Sequence, residues 1–249
     1  MSVAIGNDGT VRRQAGSWTP AVHALLRHFE AAGFGGAPRA LGVDDDGREV
    51  LTVVDGEIPG VDGAPPGDDV VFAVGELVRA MHDAQEGFTP PEGSSWQVLP
   101  GAVPGDEVIC HNDVLGHNVV VRDGRPVALI DWELAAPGRR LTDVAAAAMW
   151  WTPLRSDVHA RRYGLPTDRR AERLRLLADG YGLEGDERHD LIDAVLRLVR
   201  AWHEAYRVLG GVGRLEPWAR RWDDGRGDYI LAGATWIVDH RPELERWLL

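Results

Sequence analysis

Two short stretches hold residue types that could do chemistry together. One is His111-Asn112-Asp113-Val114-Leu115-Gly116-His117-Asn118, and the other is Ile130-Asp131-Trp132-Glu133. Phosphoryl transfer needs this set: one carboxylate to orient a hydroxyl and take its proton, and an amide with a second carboxylate to hold magnesium against phosphates. The competing reading makes Asp113, Asn118 and Asp131 turn and capping residues at strand ends. His111, His117 and Asp113 also suit a hydrolytic metal, yet no other His/Asp/Cys cluster at zinc spacing accompanies them. A Gly-x-Ser-x-Gly elbow is missing, which argues against serine hydrolysis. Cys110, just before His111 at the end of an apolar run, reads as a small buried residue rather than a nucleophile.

The elements that must position these residues follow from patterning. Strands are expected at Glu107–Cys110, Asn118–Val121 and Pro126–Ile130, the last two joined by the hairpin turn Asp123-Gly124. Upstream, Val3–Ile5 and Thr10–Arg13 flank the turn Gly6-Asn7-Asp8-Gly9. Thr19 is a good helix cap before Pro20, with Val22, Leu25, Leu26 and Phe29 at helical spacing and Gly33 as the stop. Ala40–Val43 and Glu49–Val54 complete a β-β-α-β-β order. A crossover from Asp55 and a Gly/Pro-rich stretch to Gly67 lead into a helix from about Asp68 to Ala84, striped by Val71, Val74, Leu77, Val78 and Met81. From Thr142 onward the chain reads as helical, with amphipathic stretches near 168–181, 186–208 and 226–239. Most of the ten tryptophans fall on helical faces, where core packing accounts for them.

Composition narrows the function classes. All 27 basic residues are arginine, which excludes mechanisms that need a lysine, Schiff bases and Walker-A loops among them. The net charge is −12, and residues 1–104 carry 6 arginines against 15 acids. Without a dense basic stripe, neither nucleic acid nor an anionic membrane is an expected partner. A single cysteine and the absence of a signal-peptide pattern fit a reducing cytoplasm.

His-x-Asp-x-x-x-x-Asn, a hairpin and Ile-Asp-Trp-Glu together resemble the aminoglycoside phosphotransferase/choline kinase-like family, relatives of the protein kinases. The resemblance covers nearly the whole chain. It implies an α+β, protein-kinase-like two-lobed fold: a small antiparallel sheet with one helix over residues 1–56, and a larger, mainly helical lobe over 57–249. It implies transfer of the γ-phosphate of ATP, or of GTP, to a hydroxyl of a small molecule with magnesium. By motif position Asp113 is the catalytic base, Asn118 and Asp131 are the magnesium ligands, and His111 braces the loop. Asp143 either anchors that loop or is the acid expected beside Thr142 in a first helical turn. Glu133 is either a further metal ligand or a solvated acid. The acceptor, hydroxylated and in this family often cationic, would sit against the carboxy-terminal helices.

The nucleotide side departs from the family. Arg12 or Arg13 takes the usual lysine position, one facing in and one out, and Val54 and Asp55 are carried over as nucleotide contacts. The helix position of the partnering glutamate holds His23, read as an ordinary half-exposed histidine. Only two residues precede what reads as the second strand, leaving no glycine loop, so nucleotide affinity is expected towards the millimolar range. The alternative function is a catalytically impaired relative that binds a ligand or partner without transferring phosphate.

Overall fold

The computed structural model describes residues 4–6, 8–59, 67–162 and 164–249. Val3, Asn7 and residues 60–66, parts of the expected first strand, turn and Gly/Pro-rich stretch, lie outside them.

The smaller lobe is built from β1 (Ala4–Ile5), β2 (Thr10–Gln14), α1 (Thr19–Ala31), β3 (Ala40–Val43) and β4 (Arg48–Thr52). Its antiparallel sheet runs β1-β2-β4-β3, and Arg13 of β2 lies directly opposite Glu49 of β4. Strand alternation then fixes the faces, because neighbouring residues point to opposite sides. Helix α1 buries Val22, Leu25, Leu26 and Phe29, and with them His23. Thr19 is the first residue of α1 rather than its cap; its Oγ1 accepts the Gly16 N–H at 2.9 Å. Strand β4 ends at Thr52, short of the expected Val54, because β2 starts at Thr10, which pairs with Thr52.

The larger lobe begins with α2 (Asp68–Asp83). It continues through β5 (Val108–Cys110), β6 (Val119–Arg122), β7 (Arg125–Leu129), β8 (Ala136–Gly138) and α3 (Arg140–Trp151). Helices α4 (Asp157–Arg162), α5 (Arg170–Tyr181), α6 (Gly185–Ala205), α7 (Trp218–Asp223) and α8 (Arg226–Leu248) complete it, with a π-helical segment at Tyr206–Val212. Strands β6 and β7 form the expected hairpin, while β5 pairs with β8. The core centres on α2 packed against α5. The approach is close at Gly75, where a Cβ would lie 2.5 Å from the Leu177 carbonyl oxygen.

The segment after β4 and helix α1 of the smaller lobe both reach the hairpin region of the larger lobe. Glu57 and Val121 exchange backbone hydrogen bonds of 2.7 and 2.8 Å, and the Phe29 ring lies 5.3 Å from that of Trp132. The architecture is the protein-kinase-like α+β fold that the motif resemblance implies. No helix among the described residues is long and apolar enough to cross a membrane.

Candidate active site

The loop between β5 and β6 is held from below by one buried carboxylate. Asp143, in the first turn of α3 and fully buried, accepts the backbone N–H of His111 at 2.8 Å and of Asn112 at 2.7 Å. His82 on α2 reaches the same carboxylate with Nε2 at 3.0 Å and the Tyr181 hydroxyl with Nδ1 at 2.9 Å. Two backbone amides and an imidazole thereby converge on a charge that would otherwise be costly to bury. Asn112 adopts φ 65°, the sharp bend that brings successive N–H groups to one acceptor. His111 is also fully buried, and burial lowers its pKa, so the ring is neutral. With Nε2 donating to the Ile130 carbonyl at 3.0 Å, Nδ1 is left to accept the Asp113 N–H at 3.3 Å.

Asp113 projects from this loop. The Asn118 amide donates to its carbonyl at 2.9 Å and to Oδ2 at 2.8 Å, while Oδ1 is buried with no hydrogen-bond partner. Burial, and after it the negative charge of Asp131, push the Asp113 carboxyl up to about 7, against the Asn118 hydrogen bond. Asn118 closes a 3₁₀ turn, Gly116–Asn118, instead of opening a strand as its Asn-Val-Val-Val context suggests. The turn fits under Trp150: a Cβ on Gly116 would meet the indole nitrogen at 2.0 Å. His117, exposed, holds Nε2 4.0 Å from Asp113 Oδ2.

Asp131 caps the hairpin's far end at φ 65°. Its carboxylate pairs with Arg13 of the smaller lobe, so the structure brings Asp113, Asn118, Asp131 and Arg13 to one cleft. Glu133 Oε2 lies 3.9 Å from Arg13 Nη1. Burial and then the Asp131 charge raise the Glu133 pKa. Glu133 is therefore a half-buried member of the cleft rather than a freely solvated acid.

Of the two candidate arginines, Arg13 faces the cleft and Arg12 does not. Arg12 lies on the outer face, paired with Asp8 at 2.8 Å and 3.8 Å from Asp44. Arg13 is buried, with Nε on Glu49 and Nη1 on Asp131, and its Nη2 is buried without a hydrogen-bond partner. His23 is likewise buried, not half-exposed, with Nε2 3.1 Å from Glu49 Oε2. Val54, half-buried, and Asp55, exposed, lie in the segment between β4 and the Glu57 bridge. Cys110 is buried, its Sγ donates to the Arg139 carbonyl, and burial raises its pKa well above the ordinary thiol value.

Three side chains here escape sequence reasoning. Glu49 sits in a strand of mixed polarity, and only strand pairing sets it opposite Arg13. His82 follows Met81 at the end of the buried stripe of α2 and reads as core. Tyr181 is the last residue of α5, far from either motif.

The donor set suits a magnesium–nucleotide complex. The Asp131 and Glu133 carboxylates and the Asn118 amide oxygen are hard ligands, and Arg13 Nη2 is a buried cationic donor without a hydrogen-bond partner.

A model of the phosphotransferase enzyme family matches residues 92–177, which hold both motifs. The trifolitoxin immunity protein of Rhizobium leguminosarum bv. trifolii is 37% identical, over 95% of this chain and 91% of that protein. The chain belongs to the phosphotransferase enzyme family. Solved structures of the same fold include a choline/ethanolamine kinase family protein from Mesorhizobium loti, 16% identical over 96% of this chain and 85% of that one, with a TM-score of 0.58. A microcompartment-associated aminopropanol kinase covers 100% of this chain and 94% of its own at 14% identity and a TM-score of 0.61. An amicoumacin kinase in complex with AMP-PNP, Ca2+ and Ami is 11% identical over 98% of this chain and 84% of its own, with a TM-score of 0.63.

Proposed function

We propose that this phosphotransferase moves the γ-phosphate of ATP to a hydroxyl of a small molecule. The observation that carries the reading is the Asp113 carboxylate, with one oxygen held by Asn118 and the other buried and partnerless, beside Asp131. Asp113 orients the acceptor hydroxyl and takes its proton at Oδ1. Asn118 and Asp131, with Glu133 nearby, are the residues that would hold magnesium. When bound, magnesium supplies positive charge to the β- and γ-phosphate oxygens. Arg13 contributes a second cation through its free Nη2. His111 and Asp143 keep the loop rigid, which preserves the in-line geometry that transfer requires.

The acceptor binds against the carboxy-terminal helices. The acids around Asp113 tolerate a cationic group in it. The relative named as an immunity protein suggests a toxic compound bearing a hydroxyl, phosphorylated in the cytoplasm where ATP is plentiful.

A second reading, binding without transfer, has one observation in its favour. Arg13 already neutralises Asp131, the expected metal carboxylate. A panel of hydroxylated small molecules, assayed with magnesium and ATP, separates the two. Acceptor-dependent ADP release with a phosphorylated product supports transfer. Tight acceptor binding with no nucleotide consumption supports the second reading.

A further inference from the structure

We infer that His23 is a positioning residue, which acts through Glu49 to set how Arg13 presents its guanidinium to nucleotide phosphates. The inference rests on the phosphotransferase reading and goes beyond it in naming a relay that starts on α1.

Three buried side chains from three elements form one line. His23 of α1 holds Glu49 Oε2 at 3.1 Å, and Glu49 of β4 holds Arg13 Nε with its other oxygen. Arg13 of β2 then meets Asp131 with Nη1. His23, Glu49 and Arg13 are 3%, 2% and 7% exposed, so water does not compete for their hydrogen bonds. Burial works to raise the Glu49 pKa, but the His23 hydrogen bond and the Arg13 guanidinium together hold it low, and the carboxylate stays charged.

The geometry explains why a third member is needed. An arginine is a planar fork on a flexible stem, and its Nη groups point usefully only if the plane is fixed. Glu49 grips the Nε edge, Nη1 meets Asp131 in the cleft, and Nη2 is buried without a hydrogen-bond partner. Glu49 can do this only if its own carboxylate is fixed, and a single bond to Arg13 leaves its plane free to turn. The second oxygen, held by His23, removes that freedom. The cross-strand register then places the grip directly opposite Arg13. The anchoring carboxylate therefore comes from the sheet, and the helix supplies a histidine that braces it.

The test is calorimetric titration of Mg-ATP into the full chain and three variants, each first shown to be folded by circular dichroism. His23→Leu is expected to weaken binding about 10- to 100-fold, a loss in the range of one hydrogen bond to a charged group. His23→Gln, whose amide can still donate to Glu49, is expected to recover affinity to within about 3-fold of the parent. Glu49→Gln also weakens binding. The double variant His23→Leu/Glu49→Gln is then no weaker than Glu49→Gln alone, since His23 acts only through Glu49. A folded His23→Leu with parental affinity, or additive losses in the double variant, overturns the relay while leaving the phosphotransferase reading intact. If the parent chain binds no Mg-ATP, that reading fails and the relay falls with it. Should His23→Leu not fold, the comparison of His23→Gln with His23→Asn decides: equal affinity in both overturns the relay, because the shorter amide cannot reach Glu49.

Discussion

The two walls of the cleft are built on different logic. The wall built on the loop between β5 and β6 comes mainly from two contiguous stretches, and three of its side chains are anchored on backbone groups: Asp143 on two amides, His111 on the Ile130 carbonyl, Asn118 on the Asp113 carbonyl. The smaller-lobe wall uses single side chains from α1, β2 and β4, joined by side chain to side chain. Backbone-anchored groups tolerate little change in sequence spacing. Side-chain relays tolerate substitution so long as charges still meet, and here arginine and histidine occupy positions where the family resemblance leads one to expect lysine and glutamate.

This contrast can be broken most forcefully at Asp143. Asp143→Ala strips two backbone amides and His82 of their acceptor in a fully buried site. It should cost about 3–5 kcal/mol of stability, seen as a large fall in the denaturant midpoint. A midpoint near that of the parent would show that the loop is held by something else.

Next in size is a pH effect from Asp113. Its pKa is raised from 3.8 to about 7 in the folded chain. Between these values the folded protein keeps a proton that the unfolded chain has released, so stability falls as pH rises from about 4 to 7. Denaturation of the ligand-free protein across that window should show the decline, a few kcal/mol at most, and Asp113→Asn should flatten it. An identical slope in the variant would place the titration elsewhere.

Gly116→Ala sharpens the same wall. The added Cβ has Trp150 Nε1 at 2.0 Å, so the indole or the 3₁₀ turn must shift. A loss of about 1–3 kcal/mol is expected, together with lower turnover, because Asn118 rides on that turn. Unchanged melting and turnover would mean that the turn moves freely.

The smallest effect belongs to the outer face of the smaller lobe. Arg12→Ala removes an ion pair with the exposed Asp8 and should leave the melting temperature close to that of the parent. It should leave Mg-ATP affinity unaltered in calorimetry. Weakened nucleotide binding would contradict the assignment of Arg13 alone to the cleft.

Legibility followed the same division. The loop and hairpin were readable because their residues are close in sequence and bounded by strands with clear apolar runs. Helices α1, α2, α5, α6 and α8 were readable from periodicity. What escaped depends on tertiary pairing. Strand β8 is Ala-Pro-Gly, a poor strand former that exists because β5 needs a partner. Helices α4 and α7 are one or two turns long, too short for a periodic signal. The roles of Glu49, His23 and His82 are set by partners in other elements, and alternation left Arg12 and Arg13 undecided until the register with β4 was known.

The central claim is that Asp113 is the base of a phosphoryl transfer, and one comparison tests it most directly. With an acceptor in hand, turnover of Asp113→Asn is measured beside the parent, together with the affinity of each for Mg-ATP. The account predicts a turnover loss of about 10² to 10⁴ with nucleotide affinity nearly unchanged, since the amide keeps the shape but cannot take the proton. Parental turnover in the variant would contradict it.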